Sequence, residues 1–159
     1  MNYMTRITLW LFVVALGIDL GAGIYESRIV VPLWSSGVPG TLAAGNPYAR
    51  VAIDAGMRFW AVMTPAVAVF AILALLFGVR GAGPGRTWLT FATVAELAVV
   101  ASTLFYFRPT LVRLFMGHGA GLSAEAISSI VHRWVMLSRV RVAVSFIAWL
   151  AALRAFTLM

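Results

Sequence analysis

Hydrophobic positions run through this chain in four long blocks, from about Ile7 to Leu33, Phe59 to Val79, Trp88 to Phe107 and Ile127 to Phe156. Each block reaches about 20 residues, the length a helix needs to cross a hydrocarbon layer about 30 Å thick. The pattern predicts an all-α protein, an integral membrane four-helix bundle forming one domain over residues 1–159. The expected helices cover about 5–33, 51–79, 87–108 and 124–156. The first block does not read as a signal peptide. Only Arg6 stands at its start, and Asp19 interrupts the apolar run before any cleavage site, so it is expected to be a retained spanning helix.

The segments between the blocks differ in length. Arg80 to Thr87 is a tight turn rich in Gly and Pro, which makes the second and third helices antiparallel neighbours. The connections from Trp34 to about Arg50 and from Pro109 to about Ser123 are longer and share the opposite side, and their Gly and Pro residues are expected to end the flanking helices. Ser123 opens a Ser-Ala-Glu-Ala run, an N-cap with an acid in the first turn. Arg6, Arg80, Arg86 and Arg154 sit on the short-turn side with no acid beside them. By the positive-inside rule that side, with both termini, is expected in the cytoplasm, at the plasma (inner) membrane.

Composition sharpens the picture. Apolar residues make up 62% of the chain and charged ones 11%, far below the share of about a quarter usual in soluble proteins. There is no cysteine, which excludes disulfides, thiolate metal sites and cysteine redox chemistry. All 12 basic side chains are Arg, the residue better suited to buried ion pairs and bidentate anion contacts. These arginines are spread through apolar segments instead of forming a solvated basic run, so nucleic acid is not an expected partner. The bilayer is.

Charges within such blocks are costly and normally face the bundle interior. Counting about 1.5 Å per helical residue from the short-turn arginines puts Asp19, Glu96, Arg139 and Arg141 at a common depth of roughly 15–22 Å. Glu26, Arg58 and His132 form a second level at roughly 30–33 Å, with Asp54 a little beyond. Residues seven apart return to nearly the same face, so Asp19 and Glu26 share one, beside the small residues Ala15, Ala22 and Gly23. Thr93, Glu96 and Thr103 line up on the third helix. The fourth carries two polar stripes, one through Ser128, His132, Met136 and Arg139, the other through Trp134, Ser138, Arg141 and Ser145. The inner layer is expected to hold a buried charge network in which Asp19 or Glu96 pairs with Arg139 or Arg141. The outer level is expected to border a ligand pocket.

Other features have simpler readings. Gly17 and Gly21 form a GxxxG packing groove. Asp54 and Arg58 are spaced to pair with each other. Pro65 loosens the second helix, as membrane helices tolerate. Trp34, Trp60, Trp88 and Trp134 lie near expected helix ends, where aromatic residues form an interfacial belt. His118 falls in a Gly-rich loop and reads as solvated. The di-iron Glu-x-x-His signature is absent. His132 would be the sole axial ligand of a haem. No metal and no cofactor is therefore expected.

The run Gly21-Ala-Gly-Ile-Tyr-Glu-Ser-Arg-Ile-Val-Val-Pro-Leu-Trp34 resembles the first-helix signature of a family of small four-helix membrane proteins that includes the fungal anthrone oxygenases. Phe59-Trp60, the Phe107-Arg-Pro109 junction and Trp134 to Arg141 are similar to it as well, whereas Ser138 stands where many relatives carry Asn. The resemblance implies a membrane bundle and an oxygenase acting on a fused aromatic phenol without a bound metal. By position, Glu26 and Trp34 fall in the matching motif.

Together these readings suggest a cofactor-independent, oxygenase-like enzyme, or a binding protein, for a lipophilic aromatic or quinone-like molecule held between helices. Glu26 or His132 would be the catalytic base. Arg58 or Arg139 would hold the resulting anion, and Trp34, Trp60 and Phe107 would stack on the rings. Two alternatives stand beside this reading. One is a proton-coupled transporter, for which four helices would require a homo-oligomer. The other is a non-catalytic membrane scaffold whose charges specify packing.

Overall fold

In a computed structural model of the chain, residues 3–40, 47–78, 83–115 and 121–158 are described. They form four long helices, α1 (Tyr3–Ser35), α2 (Pro47–Gly78), α3 (Pro84–Phe115) and α4 (Ala124–Leu158), with no strand among them. All four are long and apolar enough to cross a membrane. Arg80 and His118 lie outside the described residues.

The helices pack as a ring in which α1 touches α2 and α4, and α3 touches α4 and α2. The start of α1 meets the end of α2, where the Thr5 hydroxyl donates to the Phe77 carbonyl at 3.5 Å. Gly78, closing α2, lies directly against Leu89 of α3, an approach that a side chain would block. At the start of α4 the Ser123 hydroxyl caps the Ala126 amide at 3.2 Å, as its sequence predicts.

Along the bundle axis the interior falls into three layers. At the end shared by the termini, Leu9, Phe12, Leu16, Val67, Leu89 and Ala152 form one tight apolar cluster, with small alanines letting the backbones approach. At the far end, Val31, Trp34, Phe107, Leu114, Val131 and Trp134 form another. Between them lie Asp19, Thr64, Glu96, Thr103, Arg141 and Ser145. The outward faces are apolar too, with Val62, Val69, Leu76, Phe105, Ile147 and Leu150 exposed. An exposed apolar surface of this kind marks contact with lipid or with another protein.

Helices α2 and α3 depart from the expected bounds, and the prolines held within α1 and α3 shape the site. Helix α3 does not end at Pro109; it continues to Phe115. Pro32 likewise lies within α1. Both helices accommodate the proline by widening into a π turn just before it, over Glu26–Val30 in α1 and Thr103–Phe107 in α3. The Val31 amide donates to the Glu26 carbonyl, and the Arg108 amide to the Thr103 carbonyl, five residues back instead of four. A proline lacks the N–H for the regular bond and its ring crowds the carbonyl four residues earlier, so a widened turn relieves both problems. Proline alone is not sufficient, since Pro65 sits in α2 without a π turn. Helix α2 begins at Pro47, earlier than its apolar pattern suggests, because its first turns carry exposed polar residues.

Candidate functional site

The two π turns face a single side chain. Arg141, on the inward stripe of α4, reaches Glu26 at the start of the α1 turn, Nη2 to Oε2 at 3.4 Å. It also donates from Nη1 to the Thr103 hydroxyl at the start of the α3 turn, at 3.2 Å. Its guanidinium carbon lies 4.7 Å from the Phe107 ring centroid and 5.4 Å from that of Trp60, within the range of a cation–π contact. One cation therefore joins all four helices. Both partners of the ion pair are mostly shielded, with side chains 10% and 16% exposed.

Helix α2 packs along the Pro84–Ser102 part of α3 and parts from its Thr103–Phe115 end. The space left there is a cavity of about 400 Å³, within the size range of small-molecule sites. Its walls are mostly apolar and aromatic, with Trp34, Met57, Trp60, Phe107 and Trp134 among them; three charged residues line it, the shielded pair Glu26 and Arg141 and the exposed Arg108. Val69 and Ile72 of α2 and Leu104 of α3 line it and are themselves half exposed, so its mouth opens on the apolar flank of the bundle. Gly56 borders it as well. A Cβ there would lie 3.4 Å from Glu26 Oε1, so a bare backbone lets α2 sit close to that carboxylate.

The aromatic floor is rigidly built. Trp134 is 2% exposed, and its indole N–H donates to the Phe107 carbonyl at 3.2 Å. Its ring meets Trp34 at 5.2 Å and Phe107 at 5.4 Å, both edge-on, the arrangement aromatic pairs favour. Trp34 and Trp134 are thus interior residues, and their position near expected helix ends gave a misleading signal of an interfacial belt.

Not every residue expected at the site is brought there. Glu26, Trp34, Trp60 and Phe107 converge on the large cavity. Arg58 does not. It pairs with Asp54 at 2.9 Å on the outer surface, with side chains 81% and 55% exposed, as their i, i+4 spacing allows. His132 and Arg139 are also exposed on α4. Each stands two residues from an inward side chain, Trp134 and Arg141 respectively, and two residues turn a helix by about 200°. Of the two polar stripes on α4, only the one through Trp134, Ser138, Arg141 and Ser145 points inward. Depth counting was a guide to level and carried no information about facing.

The buried charge network needs a similar correction. Asp19, Glu96 and Arg141 do border one small polar cavity. However, the ion pair Arg141 makes is with Glu26, and neither acid of the inner layer lies within salt-bridge distance of Arg139 or Arg141. Arg141 is drawn outward because both π turns present it with oxygen acceptors. Thr64 and Gly56 were missed as site residues. Gly56, Trp60, Thr64 and Ala68 recur at four-residue spacing on α2, which is the signal that groups them on one face. No group of three or more His, Cys, Asp or Glu residues that could hold a metal occurs among the described residues.

Comparison of the chain with models of known families, with curated proteins and with solved structures gives no match.

Proposed function

We propose that this protein is a four-span membrane protein that takes a lipophilic aromatic molecule, a phenol or quinone, from the bilayer into the large cavity. The observation that carries the reading is the position of Arg141. It is a shielded cation held by Glu26 and Thr103 and in contact with two aromatic rings on the wall of a mostly apolar cavity, whose other cation, Arg108, is exposed. Such a place suits a planar apolar molecule with one polar edge. The rings of Trp34, Trp60 and Phe107 stack on its faces, and Arg141 donates charge-assisted hydrogen bonds to its oxygen. The mouth among Val69, Ile72 and Leu104 fits entry from lipid rather than from water.

The same geometry supports proton transfer. Glu26, within the segment that resembles the anthrone oxygenase family, accepts a proton from a phenol or an acidic C–H, and Arg141 holds the anion that results. Reaction of that anion with oxygen is the cofactor-free oxygenation which the resemblance implies. The short-turn side, with both termini, faces the cytoplasm at the plasma membrane on the same positive-inside argument.

Binding is measurable with menadione, a small quinone that quenches tryptophan fluorescence. Three of the six tryptophans, Trp34, Trp60 and Trp134, line the cavity. Protein in lipid vesicles is expected to show saturable quenching, which Ala68→Phe, filling the cavity, removes. Quenching that rises without saturation and is the same in Ala68→Phe would mean partition into lipid alone and would end this reading.

A further inference from the structure

The polar layer holds an acid that the ion pair does not use. Glu96 is 1% exposed, and neither of its carboxyl oxygens has a hydrogen-bond partner. It borders a separate cavity of about 20 Å³ together with Asp19, Thr64, Thr103, Arg141 and Ser145. This volume exceeds the roughly 10–15 Å³ that one water molecule needs, and the walls offer the several polar partners such a water requires.

Charge balance says what else must be there. The groups that face Glu96 from the packed helices are Asp19, with Glu26 further along α1, and Arg141 with Ser145 on α4. Thr64 and Trp60 face it from α2 and bring no titratable group. Three carboxyls thus share one guanidinium, which is already engaged by Glu26 and Thr103. An ionised carboxylate with neither partner nor water is strongly unfavourable in such an interior, and two neighbouring ones oppose each other as well. An alkali cation would meet the Arg141 charge on the same wall. A proton meets no such obstacle.

We infer that Asp19 and Glu96 form a proton-holding site, in which the pair shares one proton through a single water molecule in the small cavity. The proton rests as an O–H on Glu96, the more deeply buried of the two, and donates to the water, which in turn donates to the Asp19 carboxylate; no bond is formed or broken beyond that exchange. Trp60, Thr64, Thr103 and Arg141 border both cavities. The site therefore lies one layer of side chains behind the large cavity, placed to deliver or take up a proton there. The inference goes beyond the proposed ligand and holds whichever molecule fills the large cavity.

Infrared spectroscopy of the unliganded protein in lipid vesicles tests it. At neutral pH the protein is expected to show the C=O stretch of a protonated carboxyl that persists in Glu26→Gln. The band should vanish in Glu96→Gln, shift in Asp19→Asn and disappear in one step as pH is raised. Heavy-carbon labelling of glutamate carboxyls in the unaltered protein should also move it, which decides the matter if Glu96→Gln does not assemble. The inference is overturned by the absence of a protonated band at neutral pH, or by a band that ignores both the label and the Glu96 and Asp19 substitutions. Loss of the band on adding sodium at constant pH would mark a cation site and overturn it equally.

Discussion

Arg141 and Glu26 meet at 3.4 Å across the centre of the bundle, 115 residues apart in sequence, and the acid stands at the first position of a π turn. The pair fixes α4 to α1 at the level where the helices separate to leave the large cavity. Its energetic signature should be asymmetric. Arg141→Met leaves the Glu26 carboxylate shielded and without its cation, a loss expected to cost about 3–5 kcal/mol. Glu26→Gln combined with Arg141→Met removes both charges and should recover most of that stability. Thermal unfolding in one detergent, run on the two single variants and the double, checks the expectation. Simple addition of the two losses would show that the pair is not coupled.

Pro109 offers a second test, because the π turn over Thr103–Phe107 precedes it as Glu26–Val30 precedes Pro32. Pro109→Ala restores the missing N–H and is expected to let α3 return to regular α-helix. Removing the surplus residue of the turn rotates the helix by about 100°, which takes the Thr103 hydroxyl from Arg141 and the Phe107 carbonyl from the Trp134 indole. The Trp134 indole N–H resonance in an NMR spectrum should move toward that of a non-bonded indole. An unchanged resonance would show that the turn is held by packing and not by the proline.

Orientation is testable by itself. Reporters fused within the connection between α2 and α3 are expected to be active only in the cytoplasm, since the sequence from Arg80 to Arg86 is short, basic and free of acids. Activity on the opposite side would invert the protein.

The four helices were legible because apolar blocks of spanning length leave little choice of structure. Depth counting grouped Asp19, Glu96 and Arg141, which do border one cavity. It set Glu26 on a separate level from Arg141, with which it pairs, because it ignores the reach of a long side chain. Facing was not legible. Two equally polar stripes run along α4, and the choice between Arg139 and Arg141, or His132 and Trp134, depends on which neighbours the other helices present. The π turns add to the difficulty. Pro32, Pro65 and Pro109 look alike in sequence, yet only the first and last widen their helices, and each widened turn shifts the register of every residue that follows. Trp34 and Trp134 lie in the interior because α3 continues past its expected end, and its last turns pack with them in one apolar cluster.

The central claim is that a lipophilic aromatic molecule occupies the large cavity from the membrane side. Photo-crosslinking measures this most directly. A diazirine-bearing naphthoquinone, added to the protein in lipid vesicles, is irradiated and its attachment sites are read by peptide mass spectrometry. Labelling is expected on Met57, Trp60 and Phe107, competed by excess menadione and lost in Ala68→Phe. Labelling confined to exposed outward residues such as Leu76 and Phe105, unaffected by the competitor, would contradict the account.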